Sequence, residues 1–181
     1  MKMYEFSIIA SGLDPQADDF EARFYNAGCD DATISFQKGR IIVDFAREAY
    51  SIDAAIVSAV ECATAAGARV ERVEPDPLVN LSDIAARTGM TRAAMTQYSK
   101  GQRSKNFPPP MARVTSDSPL WDWATVAKWL FRHGKLTREM AIEAEAVKAA
   151  NEAIVAHEPK LRELLQRRLK IYEASLEKEA A

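Results

Sequence analysis

The sequence predicts an α+β protein made of three differently patterned segments: a mixed strand-and-helix domain at 1–76, a small helical module at 79–133 and a helical extension at 136–181. Three observations predict it. Within the first segment the hydrophobic period switches repeatedly between two and about 3.6 residues. Charge is partitioned, with 7 Lys/Arg against 14 Asp/Glu in 1–78, 9 against 3 in 79–135 and 8 against 9 in 136–181. Residues 137–156 contain no Gly or Pro and are rich in Ala, Glu and Lys, a composition that favours helix. The net charge of −2 therefore hides a −7 domain, a +6 module and a nearly neutral tail.

In the first segment, Met3 to Ile9 alternates loosely like a strand, and Ala17 to Ala27 carries Phe20, Phe24 and Ala27 at helical spacing. Gly28 is placed to end that helix. Ala32 to Phe36 reads as a second strand, and Lys38-Gly39-Arg40 turns the chain into a third at Ile41 to Phe45. Ser51 can cap a helix running to about Ala66, with Ile52, Ile56, Val60 and Ala63 on one face. A last strand is expected at Arg69 to Val73, after which Glu74-Pro75-Asp76-Pro77 interrupts both periods and marks a boundary. The order β-α-β-β-α-β matches the split arrangement called ferredoxin-like, in which two helices cover one face of a four-stranded antiparallel sheet. Such sheets serve as pairing, scaffolding or ligand-sensing modules, and the order alone does not choose among them.

In the cationic segment, Ser82 is placed to cap a short helix with Leu81 packing outside it. Gly89 falls where a tight turn needs positive φ, and Thr91 can cap a second helix across which Met90 and Met95 form a staple. Ile84, Ala85, Met90, Met95 and Tyr98 then face inward. The opposite side of the second helix holds Arg92, Thr96, Gln97 and Lys100, with Arg103 and Lys105 just beyond, all donors suited to base edges and phosphates. The stretch from Leu81 to Lys100 thereby resembles the helix-turn-helix family. Downstream, Asn106 to Met111 is proline-rich, Ala112 to Val114 and Leu120-Trp121 flank a polar tip at Thr115 to Ser118, and Asp122 can cap a helix from Trp123 to Arg132. The whole is similar to the winged subclass found in excisionases, phage-type AlpA activators and MerR-like regulators.

That resemblance implies that Thr91, Arg92, Thr96 and Gln97 lie at the major groove, that Lys100, Arg103 and Lys105 reach flanking phosphates, and that Arg113, Thr115 and Ser116 approach the backbone or minor groove. It implies a bacterial or phage transcriptional regulator acting on double-stranded DNA as a homodimer, with half-sites about one duplex turn, ~34 Å, apart. Asp117 at the wing tip departs from the pattern, because an acid sits poorly in a minor groove. Two other functions fit the same layout. One is an antitoxin-like or phage-type adaptor that sequesters a protein partner through its first domain or tail; the other is a small-molecule-sensing regulator.

Trp121, Trp123 and Trp129 are spaced as core residues rather than as a platform for single strands. Asp18-Asp19 and Asp30-Asp31 read as solvated surface acids. In the tail, Leu161, Leu165, Leu169, Tyr172 and Leu176 form a stripe, and Met140, Ala144, Val147, Asn151, Ile154 and Glu158 extend the rhythm upstream with Asn151 and Glu158 interrupting it. A helical hairpin or a dimerisation arm fits this pattern, with Pro159 between its halves. Cys29 and Cys62 lie far apart without metal-ligand neighbours, so they read as small buried apolar residues rather than a disulfide or a zinc site. His133 and His157 lack a partner nucleophile or acid, and no glycine-rich phosphate loop is present, so neither an enzyme nor a cofactor is expected. No apolar run reaches the roughly 20 residues of a membrane span, and the start lacks a secretory leader, which places the expectation in the cytoplasm.

Overall fold

A computed structural model describes residues 1–180 as an α+β chain with a four-stranded antiparallel sheet and seven helices among the described residues. The elements are β1 (Lys2–Ser11), α1 (Phe20–Asn26), β2 (Ala32–Gln37), β3 (Arg40–Ala49), α2 (Ile52–Ala65), β4 (Arg69–Glu74), β5 (Leu78–Val79), α3 (Leu81–Thr88), α4 (Arg92–Ser99), β6 (Trp121–Asp122), α5 (Trp123–Arg132), α6 (Arg138–Val155) and α7 (Leu161–Ala180). The chain divides into two compact units, Met1–Pro75 with Ala146–Ile171, and Asp76–Glu145 with the residues from Tyr172 onward.

In the first unit the strands lie in the order β2-β3-β1-β4, all neighbours antiparallel. Alternation puts Phe6, Ile8 and Ala10 of β1 opposite Phe45, Val43 and Ile41 of β3 on one buried face. Helix α2 packs on β1, β3 and β4, with α1 beside it, and Ser51 caps α2 as its sequence suggests. Helix α1 starts at Phe20 rather than Ala17, because the Asp14 carboxylate accepts from Gln16 N–H and holds 14–17 in a turn.

Three long-range pairings complete this unit, and two of them correct the sequence reading. Cys29 and Cys62 are disulfide-bonded with Cα atoms 6.0 Å apart, although 33 residues separate them; the end of α1 and the body of α2 meet over the same sheet face. Arg47 is a buried cation that donates two hydrogen bonds to Asp31, at 2.8 and 2.7 Å, and others to the Gly28 carbonyl and Ser58 Oγ. Asp31 is thus an ion-pair partner rather than a solvated acid. At the β4 edge, Asn151 uses its amide like a short strand: its Oδ1 accepts from Val73 N–H at 2.8 Å and its Nδ2 donates to the Val73 carbonyl at 2.9 Å. The polar residue that interrupts the apolar stripe of α6 is there to satisfy sheet backbone.

In the second unit, α3 and α4 are joined by Gly89 at φ 68, a left-handed conformation that glycine adopts without a Cβ clash. The cap of α3 is Asn80, not Ser82. Asn80 Oδ1 accepts from Ser82 and Asp83 N–H while Asp83 accepts from Asn80 N–H, a reciprocal box that draws Leu81 inside the helix as a buried residue. Thr91 caps α4 and Asp122 caps α5, each accepting from a first-turn amide. Ile84, Met95, Tyr98, Trp121, Trp123, Val126, Trp129 and Leu130 form the core, so the tryptophans pack inward. Truncating a fully buried residue such as Met95 in so small a core would cost about 2–5 kcal/mol.

Helices α6 and α7 contribute to both units. In the first, Ala146, Ala149, Ala150 and Ala153 are buried with Leu165 and Leu169, and Arg168 bonds Glu152 across the pair. In the second, Ala141, Ala144 and Leu176 are buried, and Arg138 reaches Glu173 and Glu177 at 3.1 and 3.3 Å. The two helices therefore run back against each other within each unit. No helix among the described residues is long and apolar enough to cross a membrane.

Candidate functional site

The second unit carries the cationic residues singled out in the sequence, and its local folding decides which of them are available. Ala94, Met95 and Tyr98 turn one side of α4 into the core. The other side presents Arg92, Gln97 and Lys100 to solvent, and Arg92, Thr96 and Lys100 share a stripe at intervals of four. Arg92 Nη1 donates to Ser82 Oγ at 2.6 Å, a bond between two exposed groups that steadies the guanidinium beside α3. Gln97 and Lys100 keep their side chains open.

Some predicted residues are committed elsewhere. Thr91 Oγ1 accepts from Ala94 N–H as the helix cap, and Thr96 Oγ1 donates back to the Arg92 carbonyl at 3.0 Å. Arg103 lies over the Tyr98 ring, 5.6 Å from its centroid, while Lys105 is exposed. Residues 111–120 form a small hairpin closed by an antiparallel bridge between Ala112 and Leu120. Its tip is held by Ser116, whose Oγ donates to the Arg113 carbonyl and accepts from Ser118 N–H, so the turn uses this hydroxyl internally. Arg113 and Thr115 are exposed, and Arg113 sits at φ 52, in the left-handed region that a side chain rarely adopts.

The electrostatics follow from where the acids go. Of the three carboxylates in 79–135, Asp83 accepts from Asn80 N–H in the capping box of α3, Asp122 caps α5, and Asp117 lies on the hairpin; Asp83 and Asp117 are both exposed. Two cations of the segment are structural: Arg87 donates to the Asp76 carbonyl and lies 5.3 Å from the Trp123 centroid, and Lys128 bonds Ser175 Oγ. Among the described residues, no carboxylate pairs with Arg92, Lys100, Arg103, Lys105 or Arg113. The geometry gathers Arg92, Gln97 and Lys100 on one open helix side, and groups Arg113 with Thr115 on the hairpin.

Sequence reasoning missed Ser82 as a partner of Arg92, because it cast that hydroxyl as the cap; the Asn80-x-x-Asp83 spacing was the available signal. It also passed over Met111 and Val114, which are 67% and 62% exposed on the hairpin. Among the described residues no group of three or more His, Cys, Asp or Glu is arranged to hold a metal ion. No family model, curated protein or solved structure matches this chain, so what it does must be argued from this geometry and charge.

Proposed function

We propose that the chain is a sequence-specific DNA-binding transcriptional regulator, a homodimer whose second unit is a winged helix-turn-helix with α4 as the helix that enters the major groove. The observation that carries the reading is the open side of α4: Arg92, Gln97 and Lys100 face solvent without a carboxylate among the described residues, while the opposite side is locked into the core. A glutamine amide and a guanidinium on one helix side can make paired hydrogen bonds to adenine and guanine edges. Lys100, Arg103 and Lys105 follow directly and suit phosphates, which fix register without reading sequence. The hairpin with Arg113 and Thr115 fits a wing. Thr91 and Ser116, whose hydroxyls are used internally, have at most a backbone role. The order β2-β3-β1-β4 in the first unit supports a ferredoxin-like reading of that sheet and the pairing role such sheets serve.

Selection of bound sequences from random duplex DNA, followed by gel-shift titration, tests the proposal. Arg92→Ala is expected to weaken binding by about 1–3 kcal/mol and relax the preference at one base position. Lys105→Ala is expected to weaken all sequences alike and to lower the salt slope by about 1. Wild-type affinity in both variants would overturn the assignment. The location that goes with this function is the cytoplasm, against which the Cys29–Cys62 bond stands, since disulfides persist mainly in oxidising compartments.

A further inference from the structure

The two edges of the sheet are finished differently. The β4 edge carries Arg69, Glu71, Arg72 and Glu74, and its backbone at Val73 is capped by the Asn151 amide. Charges and covering groups of this kind keep an edge from pairing with another chain. Strand β2 has neither. Its sequence, Ala-Thr-Ile-Ser-Phe-Gln, contains no charge and no proline, its register with β3 runs without a bulge, and it has no other strand neighbour among the described residues. Ala32, Ile34 and Phe36 are in register with Phe45, Val43 and Ile41, so they belong to the helix-covered apolar face. At this margin the cover runs out: Phe36 is 48% exposed and Tyr25 of α1 is 68% exposed.

We propose that β2 pairs antiparallel with β2 of a second copy, joining two sheets into one of eight strands around a two-fold axis at Ile34. The occupant is specified by the strand and the turns that flank it. Opposed residues in an antiparallel pair share a face, so a symmetric pairing must join positions of equal parity. With Ile34 on the axis, Thr33 faces Ser35 and the small Ala32 faces the large Phe36, while the exposed Asp30 and Lys38, in the turns just beyond the two ends of the strand, are brought to the same ends of the paired strands. Shifting the register by two in one direction sets Asp30 against Phe36; in the other it sets Ala32 against Lys38 and leaves Asp30 unmatched. Only the register centred on Ile34 matches size and charge together. An uncharged strand also lets two copies of a −7 segment approach, with the two Asp–Lys pairs offsetting the repulsion. The open depression lined by Tyr25, Ala32 and Ile34 lies where the partner's aromatic ring would rest.

Sedimentation equilibrium of the full chain without DNA tests the interface independently of the role given to α4. The wild type is expected to approach twice its 20.1 kDa mass as concentration rises. Asp30→Lys and Lys38→Asp each oppose like charges at two symmetric positions and are expected to weaken the dimer by roughly tenfold. The double variant Asp30→Lys/Lys38→Asp restores both pairs and should recover wild-type association. Both sites are exposed, and Lys38→Asp leaves an Asp-Gly hairpin turn, so folding is kept. Ile34→Lys, with native circular dichroism, should be monomeric. A wild type that stays monomeric, single variants that dimerise normally, or a double variant no better than the singles would each overturn the proposal.

Discussion

The first unit and the 79–135 segment of the second dispose of their charges in opposite ways. In the first, cations are bound to carboxylates: Arg47 to Asp31, Arg23 to Asp19, Arg40 and Arg69 to Glu71, Arg162 to Glu61. In 79–135, two of the three carboxylates accept from backbone amides at helix N-termini, Asp83 in the capping box of α3 and Asp122 as the cap of α5, and the cations of α4 and the hairpin face water. Net charge becomes a usable surface only when the compensating groups are employed elsewhere. A cap is an economical employment, because a carboxylate at a helix N-terminus stabilises the helix through its dipole and its free amides.

The contrast is open to direct attack. The largest effect is expected from Arg47→Ala, which leaves the Asp31 carboxylate and the Gly28 carbonyl without their donor. Denaturant unfolding should show a loss of about 3 kcal/mol. Arg92→Ala should leave the unfolding free energy within about 0.5 kcal/mol of wild type, as exposed substitutions do; equal losses at the two arginines would erase the distinction. Asn151→Ala removes two hydrogen bonds from the β4 edge and should cost about 1–2 kcal/mol, with faster amide exchange at Val73 as the local sign.

The smallest effect is expected at Glu71. Its carboxyl is held below the usual range first by the Ser11 hydroxyl, then by the hydrogen bond from Arg69 and the nearby charge of Arg40. A lowered folded pKa stabilises the fold above the ordinary carboxylate range, and that contribution is lost as pH falls through the lowered value. Glu71→Gln should therefore trail the wild type at neutral pH and draw level with it in acid.

What was legible in the sequence was local. The alternations of β1 and β3, the caps Ser51, Thr91 and Asp122, and the left-handed Gly89 all depend on neighbours a few residues away, and each appears where spacing places it. The α4 side with Arg92 and Gln97 was equally legible, since helical periodicity alone separates it from Met95 and Tyr98. Asn80 was displaced by Ser82 because two cap-forming residues stand close together, and only the reciprocal bond to Asp83 decides between them. The disulfide, the Arg47–Asp31 pair and the Asn151 clamp join residues 33, 16 and 78 positions apart, and no local period encodes such meetings.

The last of these distances governs the order of assembly. Strand β4 ends at Glu74, yet the amide that closes its margin is Asn151, after the bulk of the other unit has been made. On a ribosome adding about 5–20 residues per second, that margin stays uncovered for several seconds. Its alternating arginines and glutamates guard it through that interval, a task they would not have if the chain emerged all at once.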